Sequence, residues 1–357
     1  MDFGLSDPQQ LLQRSVRDLL RQEVPMERVR SVLDGDAGFD RDVHRLLGEQ
    51  GITGLMIPEE HDGAGLGLLD GVVAAQELGR AATPISYHSS CVVAPLLVAT
   101  LGSEAQRARW LPGMAAGDLV VSAALQGAAR GDDGRLSGTL TFVPDAAHAD
   151  AFLVAAGDVV ALLPRATEGL EVVDLRTVDH TRSVGELVLT GVALDASSRL
   201  GDGDPRAAIE RAEQAGRIAL AADALGAAQE GLRIAVEYAK QREQFGRVIA
   251  SFQAVKHMCA ETIAAVDPVQ SLLWYTAYAW DQGLAEAAYL APLLKAHATE
   301  TATQATTTCT QVFGGIGFTH ECDMQVYFKR AGYDRQMLGG PVELRRLAAE
   351  LQYPQAV

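Results

Sequence analysis

The sequence LSGTLTFV at Leu136–Val143, with further short runs of the same kind around it, decides the fold of this chain. Threonine, phenylalanine and valine favour β-strands, whereas glycine and aspartate at residues 131–134 and 157–158 favour turns. The runs between residues 119 and 200 are Leu119–Val121, Leu136–Val143, Ala151–Ala155, Val159–Leu163, Leu170–Val173 and Glu186–Val192. Short strands at this spacing predict a small β-barrel or sandwich domain.

Helical periodicity is found on both sides of this region. The preceding residues contain five predicted helices: Asp7–Arg21, Asp40–Glu49, Leu69–Arg80, Ser90–Leu101 and Ser103–Trp110. The following residues contain longer, alanine-rich helices: Ala207–Lys240, Phe252–Gln282 and Leu284–Val312. We therefore expect an α+β fold, mostly α, with an N-terminal helical domain (1–118), a β-barrel domain (119–203) and a C-terminal four-helix bundle (204–357).

The composition limits the classes of partner. The 357 residues carry a net charge of −16, so the surface repels nucleic acid and anionic membranes. The apolar runs are shorter than the ~20 residues of a membrane span, and the N-terminus lacks the basic and apolar regions of a secretory signal. The four cysteines show no disulfide or metal-ligand spacing. We expect a cytoplasmic protein without a metal site.

Two glycine-containing segments interrupt the helical pattern near the C-terminus. They are Arg242–Gly246, continuing to Gln253, and Gln311–Thr319. Taken singly, the first is typical of a helix end and the second of a helix connection. A binding role has a physical basis, because the Arg242 guanidinium suits a pyrophosphate and Gly314–Gly315 lets the backbone approach a ligand closely. Gln311 can hydrogen-bond a ribose or an adenine edge.

These segments, with others in the same order, resemble the acyl-CoA dehydrogenase family over nearly the whole chain. The matching motifs are Gly54–Glu60 with Gly63–Gly67, Gln76–Arg80, Gly102–Glu104 with Trp110–Pro112, Arg242–Gly246 and Gln311–Phe318. The resemblance implies an oxidoreductase of lipid metabolism with a helix–β–helix fold, an acyl-CoA substrate, and FAD bound at subunit interfaces of an oligomer.

The resemblance also implies a catalytic glutamate, and this chain lacks it. Family members remove a proton α to the thioester with this carboxylate, and a hydride passes to the flavin. In most members the glutamate precedes a Gly-Thr near the C-terminus, where this chain has Leu338 or Gly339. In others it precedes an arginine on the first bundle helix, where this chain has Gly216 before Arg217.

The residues that the family places around the flavin ring have changed as well. The loop into the β-domain, Ala124–Gly131, lacks the glutamate of the family. In the strand Phe142-Val143-Pro144, proline replaces a hydroxyl donor and removes a backbone N–H. The threonine expected after the C-terminal glycine is replaced by Gly340 or Pro341.

One hypothesis explains this uneven loss. In the family, one subunit contacts the flavin ring and supplies the base, while its neighbour holds the pyrophosphate and adenosine. This chain keeps only the second set, so it resembles the base-lacking subunits of actinobacterial α2β2 enzymes that act on steroid side-chain CoA thioesters. The residues expected to complete the FAD site of a base-bearing sister subunit are Arg242, Gln244, Phe245, Gln253, Gln311, Gly314 and Gly315. No catalytic residue is expected in this chain.

Two alternatives remain open at this point. The chain could be a self-sufficient homo-oligomeric dehydrogenase with a relocated base, for which Glu213 and Asp223 on the first bundle helix are candidates. The competing interpretations are a solvated charge beside Glu210 and Arg211 for Glu213, and an ion pair with a neighbouring helix for Asp223. The chain could also be a flavin-free binding or scaffold protein that keeps only the fold.

Overall fold

The computed structural model describes residues 4–35, 37–125, 127, 129, 130 and 134–353. Helices come first, strands follow and long helices end the chain, so the predicted fold class is confirmed. The N-terminal helices are α1 (Asp7–Glu23), α2 (Met26–Asp34), α3 (Arg41–Glu49), α4 (Leu68–Arg80), α5 (Ala94–Leu101) and α6 (Glu104–Ala115). Helix α2, in which the buried Val29 and Leu33 lie one turn apart, was not predicted from the sequence.

Local sequence signals explain several helix boundaries. Ser6 caps α1 through its hydroxyl, and Gln9 bonds back to the Ser6 backbone, which forms a capping box. Ser103 and Gln106 form the same arrangement at the start of α6. A π-helical turn, His88–Val93, leads directly into α5, where the sequence predicted one regular helix from Ser90.

The middle of the chain forms two four-stranded sheets. Their strands are β1 (Val121–Ala124), β2 (Ala129–Arg130), β3 (Leu136–Pro144), β4 (Ala151–Ala156), β5 (Val159–Pro164), β6 (Leu170–Leu175), β7 (Val184–Val192) and β8 (Arg199–Leu200). The strand orders are β1-β4-β5-β8 and β2-β3-β7-β6. The first strand starts two residues later than predicted, because the Asp150 carboxylate accepts the backbone N–H of Val120.

The C-terminal part contains five helices and a small hairpin. Its elements are α7 (Pro205–Gln241), β9 (Glu243–Gln244), β10 (Arg247–Val248), α8 (Gln253–Asp281), α9 (Ala287–Phe313), α10 (Met324–Gln336) and α11 (Pro341–Gln352). Helix α9 packs against α8, α10 and α11. The bounds of α7, α8 and α9 lie within a few residues of those predicted from the sequence, whereas α10 and α11 were not predicted. Among the helices of the described residues, none combines the length and apolar character that crossing a bilayer requires.

The chain divides into two compact units. One contains the residues up to Val29, Val72–Thr83 and the residues from Arg217 onward, and the other contains Arg30–Gly71 and Pro84–Gly216. The three predicted domains, with boundaries at 118/119 and 203/204, stay a prediction.

In the first unit, α4 and α7 cross with their backbones in contact. A Cβ atom on Gly226 would lie 1.9 Å from the Gln76 carbonyl oxygen, and one on Gly79 would lie 2.1 Å from that of Asp223. Only glycine permits this approach. The buried Gln76 joins the same helices, since its side-chain amide donates to the half-buried Gln229 on α7 and Gln270 on α8.

A buried ion pair fixes α10 to this crossing. Arg330 is fully buried and donates to both carboxylate oxygens of Asp223, each at 2.8 Å. Both of its terminal nitrogens also donate to the Thr83 carbonyl oxygen at 3.1 Å. The Asp223 carboxylate therefore balances the charge of Arg330, and the guanidinium N–H groups have hydrogen-bond acceptors, as a buried charged side chain requires.

In the second unit, α5 and α6 cover the sheet β1-β4-β5-β8. The shared core includes Leu97, Leu101, Leu111, Leu153 and Leu162, all buried. Strand β4 is buried at every position, which explains its continuous apolar sequence. The Ser122 hydroxyl on β1 donates to the Pro144 carbonyl on β3, which joins the two sheets.

The glycine crossing predicts a large loss of stability on a small substitution. Gly226→Ala should lower the free energy of unfolding by about 3 kcal/mol, because the new methyl group collides with the Gln76 backbone. Gly332→Ala on α10 is the control, because its Cβ would meet no atom within 4 Å and should stabilise the helix by about 0.5–1 kcal/mol. Urea unfolding measures both, and equal stabilities would contradict the crossing.

Candidate functional site

The Arg242–Gly246 segment forms a tight hairpin rather than a simple helix end. Helix α7 ends at Gln241, and β9 and β10 pair antiparallel around Phe245 and Gly246. Both turn residues have positive φ, 54° and 75°, which the mirror-image two-residue turn of a β-hairpin requires. The backbone N–H of Ile249 donates to the Arg242 carbonyl at 2.8 Å and closes the segment.

Aromatic contacts hold the hairpin. The rings of Phe245 and Phe252 meet edge to face at 6.2 Å, and the Arg247 guanidinium lies 4.1 Å from the centre of the Phe252 ring. Phe245 is nevertheless 92% exposed. The Phe245 ring therefore adds apolar area to the surface of the hairpin.

The Gln311–Phe318 segment ends α9 with an open glycine backbone. Gly314 has φ 70° and ψ −146°, a conformation that is essentially restricted to glycine. No atom lies within 4 Å of the place of a Cβ on Gly314 or Gly315, so another molecule can approach both residues. Gly317 differs, because its Cβ would lie 2.7 Å from the Thr310 carbonyl oxygen. It is a packing residue.

A stacked aromatic pair brings the two segments together. The ring of Tyr238, one turn before Arg242 on α7, stacks on that of Phe313 at 4.4 Å. Phe313 directly precedes Gly314. The bundle-end surface is defined by the residues that the sequence singled out: Arg242, Gln244, Phe245, Gln253, Gln311, Gly314 and Gly315.

The chemistry of the bundle-end surface fits the pyrophosphate and adenosine of FAD. All of its residues are exposed except Gly314, which is half-buried. The exposed Arg242 guanidinium can donate two hydrogen bonds to a phosphate, and the amides of Gln253 and Gln311 can donate and accept. The Gln244 amide donates to the Glu243 carbonyl at 2.8 Å, so its oxygen stays available.

A hydrogen bond connects the two positions at which the resemblance places a base. Arg217, which follows Gly216, donates to the Leu338 carbonyl at 3.1 Å. Leu338 has φ 53° and Gly339 has φ 107°. A Cβ on Gly339 would lie 2.9 Å from the Leu344 side chain, so Leu338 is the position that can carry a side chain. Neither position has a carboxylate.

Lys295 holds the same loop and was missed by the sequence analysis. Its fully buried ammonium group donates to the carbonyls of Arg335, in the last turn of α10, at 2.9 Å and Gly339 at 2.5 Å. Burial lowers the pKa of Lys295 to about 7, and the Asp334 carboxylate acts in the opposite direction. The sequence contains one indication that Lys295 is buried, since it is one of only four lysines in the chain and lies among apolar residues.

The two candidates for a relocated base have different surroundings. Both carboxylate oxygens of Asp223 are engaged by Arg330, so this side chain is committed to an ion pair. Glu213 is half-buried on α7 and also interacts with other residues of the chain.

Phe142, Val143 and Pro144, which the resemblance places near a flavin ring, lie on an irregular part of β3. Its pairing with β7 shifts register between Leu140 and Val143, and Phe142 has φ 55° and is 63% exposed. The Pro144 carbonyl accepts the Ser122 hydroxyl. In the loop before this strand, Gln126, Ala128 and Gly131 lie outside the described residues.

Comparison with known families decides the assignment. Residues 6–118 match the acyl-CoA dehydrogenase N-terminal domain, and residues 206–350 match the acyl-CoA dehydrogenase C-terminal domain. The chain belongs to the acyl-CoA dehydrogenase family. The predicted assignment to an oxidoreductase family is thereby confirmed.

Individual relatives match this acyl-CoA dehydrogenase over its whole length. Acyl-CoA dehydrogenase IpdE2 of Mycobacterium tuberculosis is 34% identical over 352 residues, which cover 97% of this chain and 98% of IpdE2. A chain of the ChsE4-ChsE5 complex from Mycobacterium tuberculosis is 30% identical, with a TM-score of 0.89 and 99% of each chain covered. A chain of the Tcur3481-Tcur3483 steroid ACAD is 29% identical, with a TM-score of 0.89, and covers 98% of this chain and 99% of that one.

The buried lysine predicts a pH-dependent stability. Between about pH 7 and pH 10.5 the unfolded chain keeps the Lys295 proton that the folded enzyme releases, so the free energy of unfolding rises with pH in this window. Lys295→Met removes this contribution. We expect the wild-type protein to gain stability relative to this variant from pH 6.5 to pH 9.5, measured by urea unfolding.

The matched control is Lys256→Met, at an exposed lysine on α8. It corrects for the loss of one lysine charge. A stability difference between wild type and Lys295→Met that stays constant across the window would contradict a buried lysine with a lowered pKa.

Proposed function

We propose that this chain is the subunit without a catalytic base in a heteromeric FAD-dependent acyl-CoA dehydrogenase. Its sister subunit supplies the carboxylate and contacts the flavin ring, and this chain completes the FAD site of the sister with the bundle-end surface. The substrate is an acyl-CoA thioester, a steroid side chain being the proposed acyl group, and the reaction is α,β-desaturation.

The observation that supports this proposal is the contrast between two regions along α7. Beside Arg217, in the first half of the helix, the loop with Leu338 has no carboxylate and is held by Arg217 and Lys295. At the C-terminal end of α7, the residues suited to a pyrophosphate remain together and exposed. A general loss of function would be expected to change both regions.

The named assemblies among the relatives support a heteromer. ChsE4-ChsE5 is a complex of two different chains, and the Tcur3481-Tcur3483 pair is described as a steroid ACAD. A chain related to both over nearly its full length is expected to assemble in a similar way. The exposed Phe245, Ile316 and Phe318 provide apolar contact area beside the polar residues.

The bound FAD would accept the hydride from the β-carbon of the substrate. The residues of this chain bind and orient the FAD. The Arg242 guanidinium neutralises the pyrophosphate through paired hydrogen bonds. Gln311 hydrogen-bonds the adenosine part, and Gly314 and Gly315 let the backbone approach it without a side chain between.

The test is the FAD affinity of the complex assembled with a base-bearing acyl-CoA dehydrogenase subunit. Arg242→Ala should weaken FAD binding at least about tenfold, because each charge-assisted hydrogen bond that is lost contributes about 1.5–3 kcal/mol. FAD per complex, measured by absorbance after dilution, reports the loss.

Arg206→Ala is the control, since Arg206 is an exposed arginine at the opposite end of the same helix. The Arg206→Ala complex should keep its FAD. If Arg242→Ala binds FAD as tightly as wild type in an intact complex, the proposed role of the bundle-end surface is wrong.

A further inference from the structure

A cavity of about 430 Å³ lies in the first compact unit, apart from the residues of the proposed FAD site. We call it the arginine cavity. Residues from α1, α4, α7 and α10 line it, and its charged groups are Arg17, Arg21, Arg80, Arg233, Glu77, Glu230 and Asp323. Its volume lies within the ~300–1,000 Å³ range of small-molecule sites.

The arginines and the glutamates of this cavity differ in exposure. The Glu77 side chain is fully buried and that of Glu230 is 15% exposed, whereas Arg17, Arg233 and Arg21 are 32%, 56% and 69% exposed. Arg80 is 20% exposed and the Asp323 carboxylate is half-buried. The most exposed charged groups of the cavity, Arg21 and Arg233, therefore present positive charge to an entering molecule, although the chain as a whole carries −16.

Hydrogen bonds to the two glutamates orient Arg17 and Arg233 in the cavity. Arg17 donates Nε and Nη2 to the two oxygens of Glu77 at 2.8 and 2.7 Å. Arg233 donates Nε and Nη2 to Glu230, at 2.6 to 3.0 Å. Nη1 of each of these two arginines makes no hydrogen bond to the described residues. Within the described part of the chain, the carboxylate nearest to Arg21 is that of Asp18, at 3.9 Å.

Apolar side chains make up most of the remaining lining. Leu20, Val24, Met26 and Ile234 contribute to the wall, while Asp323 is a half-buried carboxylate at the cavity. Guanidinium groups bind phosphate and carboxylate through paired hydrogen bonds, and the apolar wall can hold a hydrocarbon part. A free inorganic ion would leave this wall unused.

We propose that the arginine cavity binds a small organic anion, in which a phosphate or carboxylate is attached to an apolar group. The anionic group lies against Arg17, Arg21 and Arg233, and the apolar group lies against Leu20 and Ile234. This inference does not rest on the heteromeric function, because none of these residues belongs to the bundle-end surface.

The experiment is calorimetric titration of the full chain with phenyl phosphate, benzoate, inorganic phosphate and benzyl alcohol. Phenyl phosphate and benzoate carry both parts, and the other two probes carry one part each. We expect phenyl phosphate or benzoate to bind with a dissociation constant at least about tenfold lower than either single-part probe. The tighter of the two identifies the anionic group.

The double variant Arg21→Gln/Arg233→Gln should weaken binding of the tighter probe at least about tenfold, because two charge-assisted contacts are lost. Arg14→Gln, at an exposed arginine on α1 that does not line the cavity, should leave it unchanged. The proposal is overturned if neither two-part probe binds at millimolar concentration. It is equally overturned if the double variant and Arg14→Gln bind alike.

Discussion

The buried ion pair between Asp223 and Arg330 lies where α4, α7 and α10 meet, and the rest of the first unit depends on it. Arg330 also binds the Thr83 carbonyl, while Gly79 and Gly226 let α4 and α7 touch. Substitution of either partner of a buried ion pair leaves the other charge buried and unpaired, which lowers the free energy of unfolding by about 3–5 kcal/mol. The pair therefore fixes α7 and α10 and also prevents Asp223 from acting as a free base.

The fixed position of α7 determines the position of two separate regions. Towards its start, Arg217 binds the loop that contains Leu338, and Lys295 binds the same loop from α9. At its end, Tyr238 stacks on Phe313 and brings the hairpin beside the glycine backbone after α9. One long helix thus connects the loop where the resemblance places a base, and where this chain has no carboxylate, to a surface rich in exposed hydrogen-bonding groups. This division is the basis for proposing a subunit that binds FAD but depends on a partner for proton abstraction.

The sequence predicted the features that depend on local pattern and motif. The helix–β–helix order and the long helices α7, α8 and α9 followed from periodicity, and the family followed from ordered motifs. Features that depend on distant residues were missed. The hairpin at Phe245 needs positive φ at a phenylalanine, and the roles of Lys295 and Arg330 depend on partners about 40 to 100 residues away. The proposed cofactor residues Arg242 and Gln311 remain predictions.

The most direct measurement of the central claim is the FAD content of this chain purified alone, expressed per protomer, with circular dichroism to show that the chain is folded. The account predicts a folded protein without bound FAD, because the chain supplies only the pyrophosphate and adenosine side of a shared site. A folded chain with one FAD per protomer that desaturates an acyl-CoA by itself would contradict it.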